Sequence, residues 1–103
     1  MDKNKKDFVI RNLRRISLKW PPRTRALQKA RVGRNQYQCA ICKLIVTNKE
    51  KQLDHIEPVV DPNKGQTTLD EYVDRLFCYE AGFQVLCLDC HNDKSQKENK
   101  ERN

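Results

Sequence analysis

The sequence predicts a small α+β domain in which a basic helical segment precedes two short strands and a final helix. Three observations support this fold class. An apolar stripe with helical spacing occupies the first twenty residues, segments 52–56 and 83–87 have strand-like composition, and the chain from about Asp89 is polar without glycine or proline. With 103 residues, 37% of them apolar and 34% charged, we expect one domain with a thin core.

The first third of the chain predicts two helices. The stripe of the first helix has steps of four, three and four residues and consists of Val9, Leu13, Ile16 and Trp20. Trp20 is interpreted as a core anchor rather than a base-stacking side chain, because it continues three aliphatics. We expect Pro21 and Pro22 to end this helix. A second helix is expected from about Arg23 to Val32, with Gly33 near its C-cap.

The rest of the chain predicts a strand, a helix, a second strand and a final helix. Polarity alternates from Gln52 to Ile56, and a loop is expected around Pro58, Pro62 and Gly65. Thr68 and Glu71 form a capping-box pattern, which Leu69, Val73 and Leu76 continue as an amphipathic helix. Phe83 to Cys87 is the second expected strand. The final helix is expected to fray near Asn99 to Asn103.

The net charge of +7 is concentrated near the N-terminus. Residues 1–34 contain twelve Lys and Arg against two acids, whereas residues 35–103 contain nine against twelve. A basic arm of this kind indicates a polyanionic partner such as nucleic acid, although a solubilising surface is the alternative reading. The residues expected to stay exposed on the arm and contact nucleic acid are Arg23, Arg25, Arg31 and Arg34. Residues 1–34 are thus interpreted as a leader and 35–103 as the core.

Four of the five cysteines form two Cys-x-x-Cys pairs, Cys39 with Cys42 and Cys87 with Cys90. Two such knuckles complete the tetrahedral thiolate shell that zinc prefers, and a closed shell has no position for a reactive water, so this zinc is expected to be structural. Two disulfides or a redox pair are the alternatives. Neither a secretory signal nor an apolar run of membrane-spanning length is visible, which favours a reducing cytoplasmic compartment and metal binding. Cys78, the fifth, is expected to be a buried thiol.

The two histidines lie beside the predicted strands. His55 follows Asp54 in the first strand, and His91 follows Cys90 at the start of the last helix. Neighbouring side chains on a strand point in opposite directions, so one of the two could face a metal while the other faces a water or the backbone. Taken singly, His91 could be a surplus zinc ligand or a helix-terminus side chain, and Asp54 with His55 could be a local hydrogen-bonded pair.

These residues together resemble the HNH endonucleases, which have a ββα-metal fold. The matching segments are Cys39-x-x-Cys42, the sequence Leu-Asp-His-Ile-Glu-Pro at 53–58, and the run from Phe83 to Lys94. The resemblance covers residues 35 to 96 and is closest to the small free-standing nucleases of bacteriophages. It implies a zinc-stabilised ββα-metal domain that cuts or nicks DNA in the host-cell cytoplasm, leaving 5′-phosphate and 3′-hydroxyl ends. The resemblance is also compatible with other phage DNA-processing proteins as partners.

The resemblance also implies roles for individual residues. His55 would be the general base that activates water, and Asp54 and His91 would hold a catalytic divalent ion such as Mg²⁺, Mn²⁺ or Ni²⁺. Lys94 would touch a phosphate. A carboxylate–imidazole shell with open positions suits such ions.

The chain departs from the family at Gly82, where an asparagine that helps to orient the base histidine is usual. Its backbone carbonyl, Glu80 or Asn63 is expected to replace that asparagine, and Glu57 is either a further metal contact or a solvent-facing acid. The departure keeps two rival functions open. These are a non-catalytic nucleic-acid-binding zinc module and a protein-interaction zinc domain.

Overall fold

The described chain forms four α-helices, one short 3₁₀ turn and two small antiparallel sheets, in agreement with the expected α+β class. The computed structural model describes residues 2–60, 62 and 67–102, with side chains through Glu98. The helices are α1 (Lys3–Ser17), α2 (Pro21–Ala30), α3 (Leu69–Leu76) and α4 (Leu88–Arg102), and the 3₁₀ turn spans Glu80–Gly82. The strands are β1 (Arg31–Gly33), β2 (Gln36–Gln38), β3 (Ile45–Val46), β4 (Gln52–His55) and β5 (Phe83–Leu86).

The expected strand pair is present as the antiparallel hairpin β4–β5. Asp54 lies opposite Gln84 and His55 lies opposite Phe83. One residue beyond the paired segment, the Ile56 N–H donates to the Gly82 carbonyl over 2.9 Å. Helix α4 begins two residues after β5, so the hairpin and this helix form a continuous ββα unit.

The second sheet, of order β1-β2-β3, was not predicted. Its strands have two or three residues each, too few for an alternating pattern, and β1 falls where the second helix was expected to end. Asn35 makes the turn between β1 and β2 with a φ of 57°, a left-handed conformation that asparagine tolerates well. The β1–β2 pairing joins residues on both sides of the expected boundary after Arg34.

The buried face of α1 differs from the expected stripe. Ile10 and Ser17 are buried and Leu13 is partly buried, whereas Ile16 is 54% exposed. The reason is that α1 ends at Ser17, so Trp20 is not on this helix and cannot fix which face turns inward. Packing against α3 sets the face instead, and the Arg14 Nε donates to the Tyr72 hydroxyl over 2.8 Å.

The prolines begin the second helix rather than ending the first, so that expectation was wrong. They occupy the first turn of α2, where a missing N–H loses no intrahelical bond. Pro22 is fully buried. The helix ends at Ala30, and Gly33 lies in β1 rather than at a C-cap.

The capping box and the last helix agree with expectation. The Thr68 side chain accepts from the Glu71 N–H over 3.2 Å and caps α3. Helix α4 continues to Arg102, through most of the segment expected to fray; Asn103 lies outside the described residues, as does Gly65 of the expected loop. Within the described ranges, no helix combines the length and apolar character needed to cross a bilayer.

Seven of the buried side chains form two small clusters. One contains Cys39, Val46, Leu86 and Cys87, and the other contains Ile10, Tyr72 and Leu76. Tyr72, which the apolar pattern of α3 did not include, is fully buried. Each cluster is thin, as the composition suggested.

The two leucines at 86 and 88 provide a matched test of the first cluster. Leu86 is 0% exposed and Leu88 is 55% exposed. We expect Leu86→Ala to lower the free energy of unfolding by about 2–5 kcal/mol, because it leaves a cavity in the core. Leu88→Ala should lower it by less than about 0.5 kcal/mol. Urea unfolding of the zinc-loaded protein measures both, and equal losses would contradict the assignment of the core.

Candidate functional site

Four cysteine sulfur atoms converge on one point of the fold. The Sγ atoms of Cys39, Cys42, Cys87 and Cys90 all lie within 4.8 Å of one another. The first pair lies in the loop after β2, which turns tightly because Lys43 has a φ of 67°. The second pair lies at the junction of β5 and α4, where the Cys90 N–H donates to the Cys87 Sγ over 3.4 Å. Backbone contacts also join the two knuckles, since the Ala40 N–H donates to the Val85 carbonyl over 2.8 Å.

This donor set can hold a zinc ion. Four thiolates are the ligands of closed, tetrahedral structural zinc sites. In the described residues it is the one group of three or more His, Cys, Asp or Glu donors that lie together. Cys39 and Cys87 are buried in the first core cluster, so a metal at this point would brace the core directly.

The cysteines of this cluster have different proton affinities. Burial, the largest influence on Cys39, favours its neutral thiol, yet backbone N–H donors at Cys42 and Cys87 outweigh it and lower the pKa of Cys39 to about 6. The pKa of Cys90 is raised to about 12, first by its hydrogen bond with the Cys87 thiol and then by burial. Cys39 is therefore the thiol most ready to ligate at neutral pH.

Cys78 is separate from this cluster. Its side chain is half-buried, and burial raises the pKa of its thiol. Its carbonyl accepts from the Trp20 Nε1 over 2.6 Å, and the Trp20 ring packs edge-on against Phe77 at 5.7 Å. Trp20 therefore links the leader to the segment before β5.

Asp54 points from β4 towards α4, where it meets Lys94. The Lys94 Nζ lies 3.1 Å from the Asp54 Oδ2, and the Gln84 Nε2 donates to the same oxygen over 3.1 Å. Lys94 also donates to the His55 carbonyl over 3.0 Å and pairs with Glu98. Burial disfavours the charge of Lys94, but these bonds to Glu98 and Asp54 outweigh it and raise its pKa. The expected phosphate-binding ammonium thus lies on the Asp54 carboxylate.

His55 points to the other side of the hairpin. Its Nε2 lies 3.0 Å from the Leu76 carbonyl, and its ring packs against Phe83 with 4.8 Å between centroids. Because a carbonyl can only accept, Nε2 is the donor in this contact, and in the neutral tautomer that makes it Nδ1 carries the lone pair. The ring borders a pocket of about 340 Å³, and the other lining residues are Ile56, Glu57, Asp74, Arg75, Cys78, Ala81 and Gly82.

His91 lies in the first turn of α4, where its N–H donates to the Cys87 carbonyl over 3.0 Å. It precedes Lys94 by three positions, so the two residues occupy the same side of the helix. Lys94 reaches Asp54, whereas no hydrogen bond or ion pair among the described residues joins the His91 side chain to Asp54.

Gly82 has a steric reason for lacking a side chain. A Cβ at this position would lie 2.7 Å from the Cys78 Sγ, closer than real Cβ atoms approach, and 3.0 Å from the Cys78 Cβ, which is a tight contact. Of the expected replacements for the family's asparagine, the Gly82 carbonyl holds the strand end through Ile56, whereas Glu80 pairs with Arg25 and Lys29. Asn63 lies outside the described residues. The Leu76 carbonyl, which no motif indicated, is the group that contacts the His55 ring nitrogen.

The four arginines of the leader occupy different environments. Arg25, Arg31 and Arg34 are exposed, as expected, although Arg25 lies 3.6 Å from Glu80. Arg23 was expected to be exposed but is half-buried, with its guanidinium 5.6 Å from the centre of the Phe83 ring. Burial lowers the pKa of Arg23. It packs there because α2 lies against β5, so that its inner face must cover Phe83.

Comparison with known proteins adds no relative to this geometry. No family model, no curated protein and no solved structure matches the chain. The assignment of the site therefore depends on the side chains themselves. The Asp54–Gln84 contact could have been found from the sequence once the hairpin register was known, because the two positions are directly opposed.

The first prediction for the site separates the cluster from the fifth cysteine. We expect about one zinc per chain, and we expect Cys39→Ser to lose it because three thiolates hold zinc far less tightly. Cys78→Ser should retain it. Zinc content after gel filtration in dilute chelator measures the difference. Loss of zinc from Cys78→Ser alone would contradict the assigned ligand set.

The second prediction concerns pH. Zinc competes with protons for thiolates, so its affinity should weaken as pH falls. Above about pH 6, Cys39 is already ionised and binding must displace protons only from the other ligands. Below that pH one more proton competes, and a plot of log Kd against pH should become steeper. Competition with a chromophoric chelator between about pH 5 and 8 measures this slope. A constant affinity would exclude thiolate ligation.

Proposed function

We propose that this protein is a metal-dependent endonuclease of the HNH type, which hydrolyses phosphodiester bonds in DNA. One observation carries the proposal: the side chains of two adjacent residues of β4 point to opposite sides of the hairpin. Asp54 faces α4, the helix that also bears His91, and His55 borders an open pocket. This division places a candidate metal ligand and a candidate base within one residue of each other. The four-cysteine cluster beside the ββα unit supports the same reading.

His55 would act as the general base. The bond from its Nε2–H to the Leu76 carbonyl fixes the ring and leaves the Nδ1 lone pair to accept a proton from water. Packing against Phe83 restricts rotation of the ring further. The pocket of about 340 Å³ beside it has room for a water molecule and a phosphate group.

Asp54 on β4 and His91 on α4 are donors whose chemistry fits a divalent cation. Asp54 offers a carboxylate and His91 an imidazole, the mixed ligand set that Mg²⁺, Mn²⁺ and Ni²⁺ accept. An ion bound by these two residues would neutralise charge on the scissile phosphate and its leaving oxygen. The cysteine cluster would hold a second metal, a zinc ion that stabilises the fold.

DNA is the partner that the leader fits. Exposed Arg31 and Arg34 follow α2, and exposed basic residues upstream include Lys3, Lys5, Arg11, Arg15, Lys19 and Lys29. Such a surface binds phosphates with little sequence preference and with strong dependence on salt. Arg23 is the exception, because its guanidinium lies on Phe83.

A second candidate, a non-catalytic nucleic-acid-binding module, is favoured by the ion pair between Asp54 and Lys94. The Lys94 ammonium already neutralises the Asp54 carboxylate, as it would in an ion pair that only stabilises the fold. A cleavage assay distinguishes the two functions.

We expect the zinc-loaded protein to convert supercoiled plasmid to nicked or linear DNA with Mg²⁺, Mn²⁺ or Ni²⁺. His55→Ala should lower the rate by about 100- to 10,000-fold, the usual contribution of a general base. DNA binding by this variant should stay unchanged, because the leader supplies the affinity. Gel electrophoresis over time gives the rates, and a mobility-shift assay gives the binding.

Asp54→Asn should also lose cleavage, with Glu50→Gln as its matched control. Glu50 is an exposed carboxylate on the turn after β3, where it accepts a hydrogen bond from Thr47. Zinc content and circular dichroism establish that each variant is folded. Equal DNA binding by the wild type and His55→Ala, with cleavage by neither, would favour the non-catalytic module.

A further inference from the structure

The side chain of Lys94 joins two carboxylates at the base of the hairpin. Its ammonium contacts Asp54 on β4 and Glu98 one turn further along α4, and it donates to the His55 carbonyl. The side chains of Lys94, Asp54 and Glu98 are 20%, 14% and 21% exposed. An ammonium has three N–H donors, so these three acceptors use all of them.

The two oxygens of Asp54 differ in their surroundings. Oδ2 receives both Lys94 and Gln84, whereas Oδ1 makes no hydrogen bond to the described residues. The Asp54 side chain keeps 14% of its surface exposed, and Oδ1 is its oxygen without a bond to the described residues. Lys94 and Gln84 therefore hold the carboxylate from one side and leave its other oxygen available.

The charges of this triad bear on cation binding. Lys94 alone would cancel the charge of Asp54 and repel an approaching cation. Glu98 restores one net negative charge to the group of three, within partly buried surroundings where charges are weakly screened. When a divalent ion binds Asp54, Glu98 still pairs with the Lys94 ammonium. Lys94 is therefore not left as an unpaired, partly buried charge.

We infer that Lys94 and Glu98 are positioning residues that set the affinity of Asp54 for its divalent ion. Lys94 holds Oδ2 and limits affinity through its charge, and Glu98 offsets that charge so that the ion can bind. This inference rests on the proposed function, because it assigns a task to residues around the metal ligand of that function.

The test measures Mn²⁺ binding to the full-length, zinc-loaded protein by the electron paramagnetic resonance signal of free Mn²⁺. Mn²⁺ prefers oxygen and nitrogen ligands to thiolates, so the cysteine cluster does not compete. We expect Lys94→Met to tighten binding about tenfold and Glu98→Gln to weaken it about tenfold, the effect of one unit charge acting on a divalent ion nearby. The double variant restores the net charge and should return towards wild-type affinity, and Lys94→Arg should resemble wild type.

Controls separate this effect from a loss of structure. Lys97→Met removes an exposed charge from the same helix, and Glu50→Gln removes a distant exposed carboxylate; both should change affinity little. A contact that served stability alone would shift the melting temperature of Lys94→Met and Glu98→Gln without moving their affinities in opposite directions. That result would overturn the inference and leave the nuclease standing. Failure of the wild type to bind Mn²⁺, together with failure to cut plasmid, would instead remove the proposed function and this inference with it.

Discussion

The contact on which the rest of the molecule depends is the convergence of four sulfur atoms from two distant knuckles. Cys39 and Cys87 are core residues as well as candidate ligands, since they form half of one of the two buried clusters. A chain with so few buried side chains gains little from packing alone, whereas structural zinc sites contribute on the order of 10–16 kcal/mol. The cysteine cluster therefore fixes the junction of β5 and α4. Asp54 and His55, at the other end of the β4–β5 hairpin, are not needed for that contact.

The leader is part of this construction rather than a loose basic arm. Pro22 and Ile10 are buried, Trp20 donates to the backbone at Cys78, and Arg23 covers Phe83. Phe83 is also the ring on which His55 rests. The Phe83 ring thus contacts both the Arg23 guanidinium of the leader and the His55 imidazole of the hairpin. These two contacts couple the placement of α2 to that of His55.

Sequence reasoning reached the elements whose signals are local. The cysteine spacing indicated the cluster, the capping box located α3, and the strand pair and last helix lay where expected. It failed where tertiary contacts decide: several apolar residues of α1 competed for the inner face, and docking on Tyr72 selected Ile10 over Ile16. The three-stranded sheet was missed because its strands are too short for a pattern. Lys94 was assigned to a phosphate by the family resemblance, whereas its ammonium pairs with Glu98 and with Asp54, forty residues earlier in the chain. The chemical roles of Asp54, His55 and His91 stay predictions.

The close approach of Gly82 to Cys78 makes the side chain tolerated at one of these positions depend on the side chain at the other. A Cβ at position 82 would lie 2.7 Å from the Cys78 Sγ, so a side chain there requires either the Cys78 side chain or the backbone before β5 to shift. That backbone leads into the strand that pairs with His55. Substitutions at these two neighbouring positions should therefore have non-additive effects on stability, because a side chain at 82 meets less obstruction when residue 78 is smaller than cysteine.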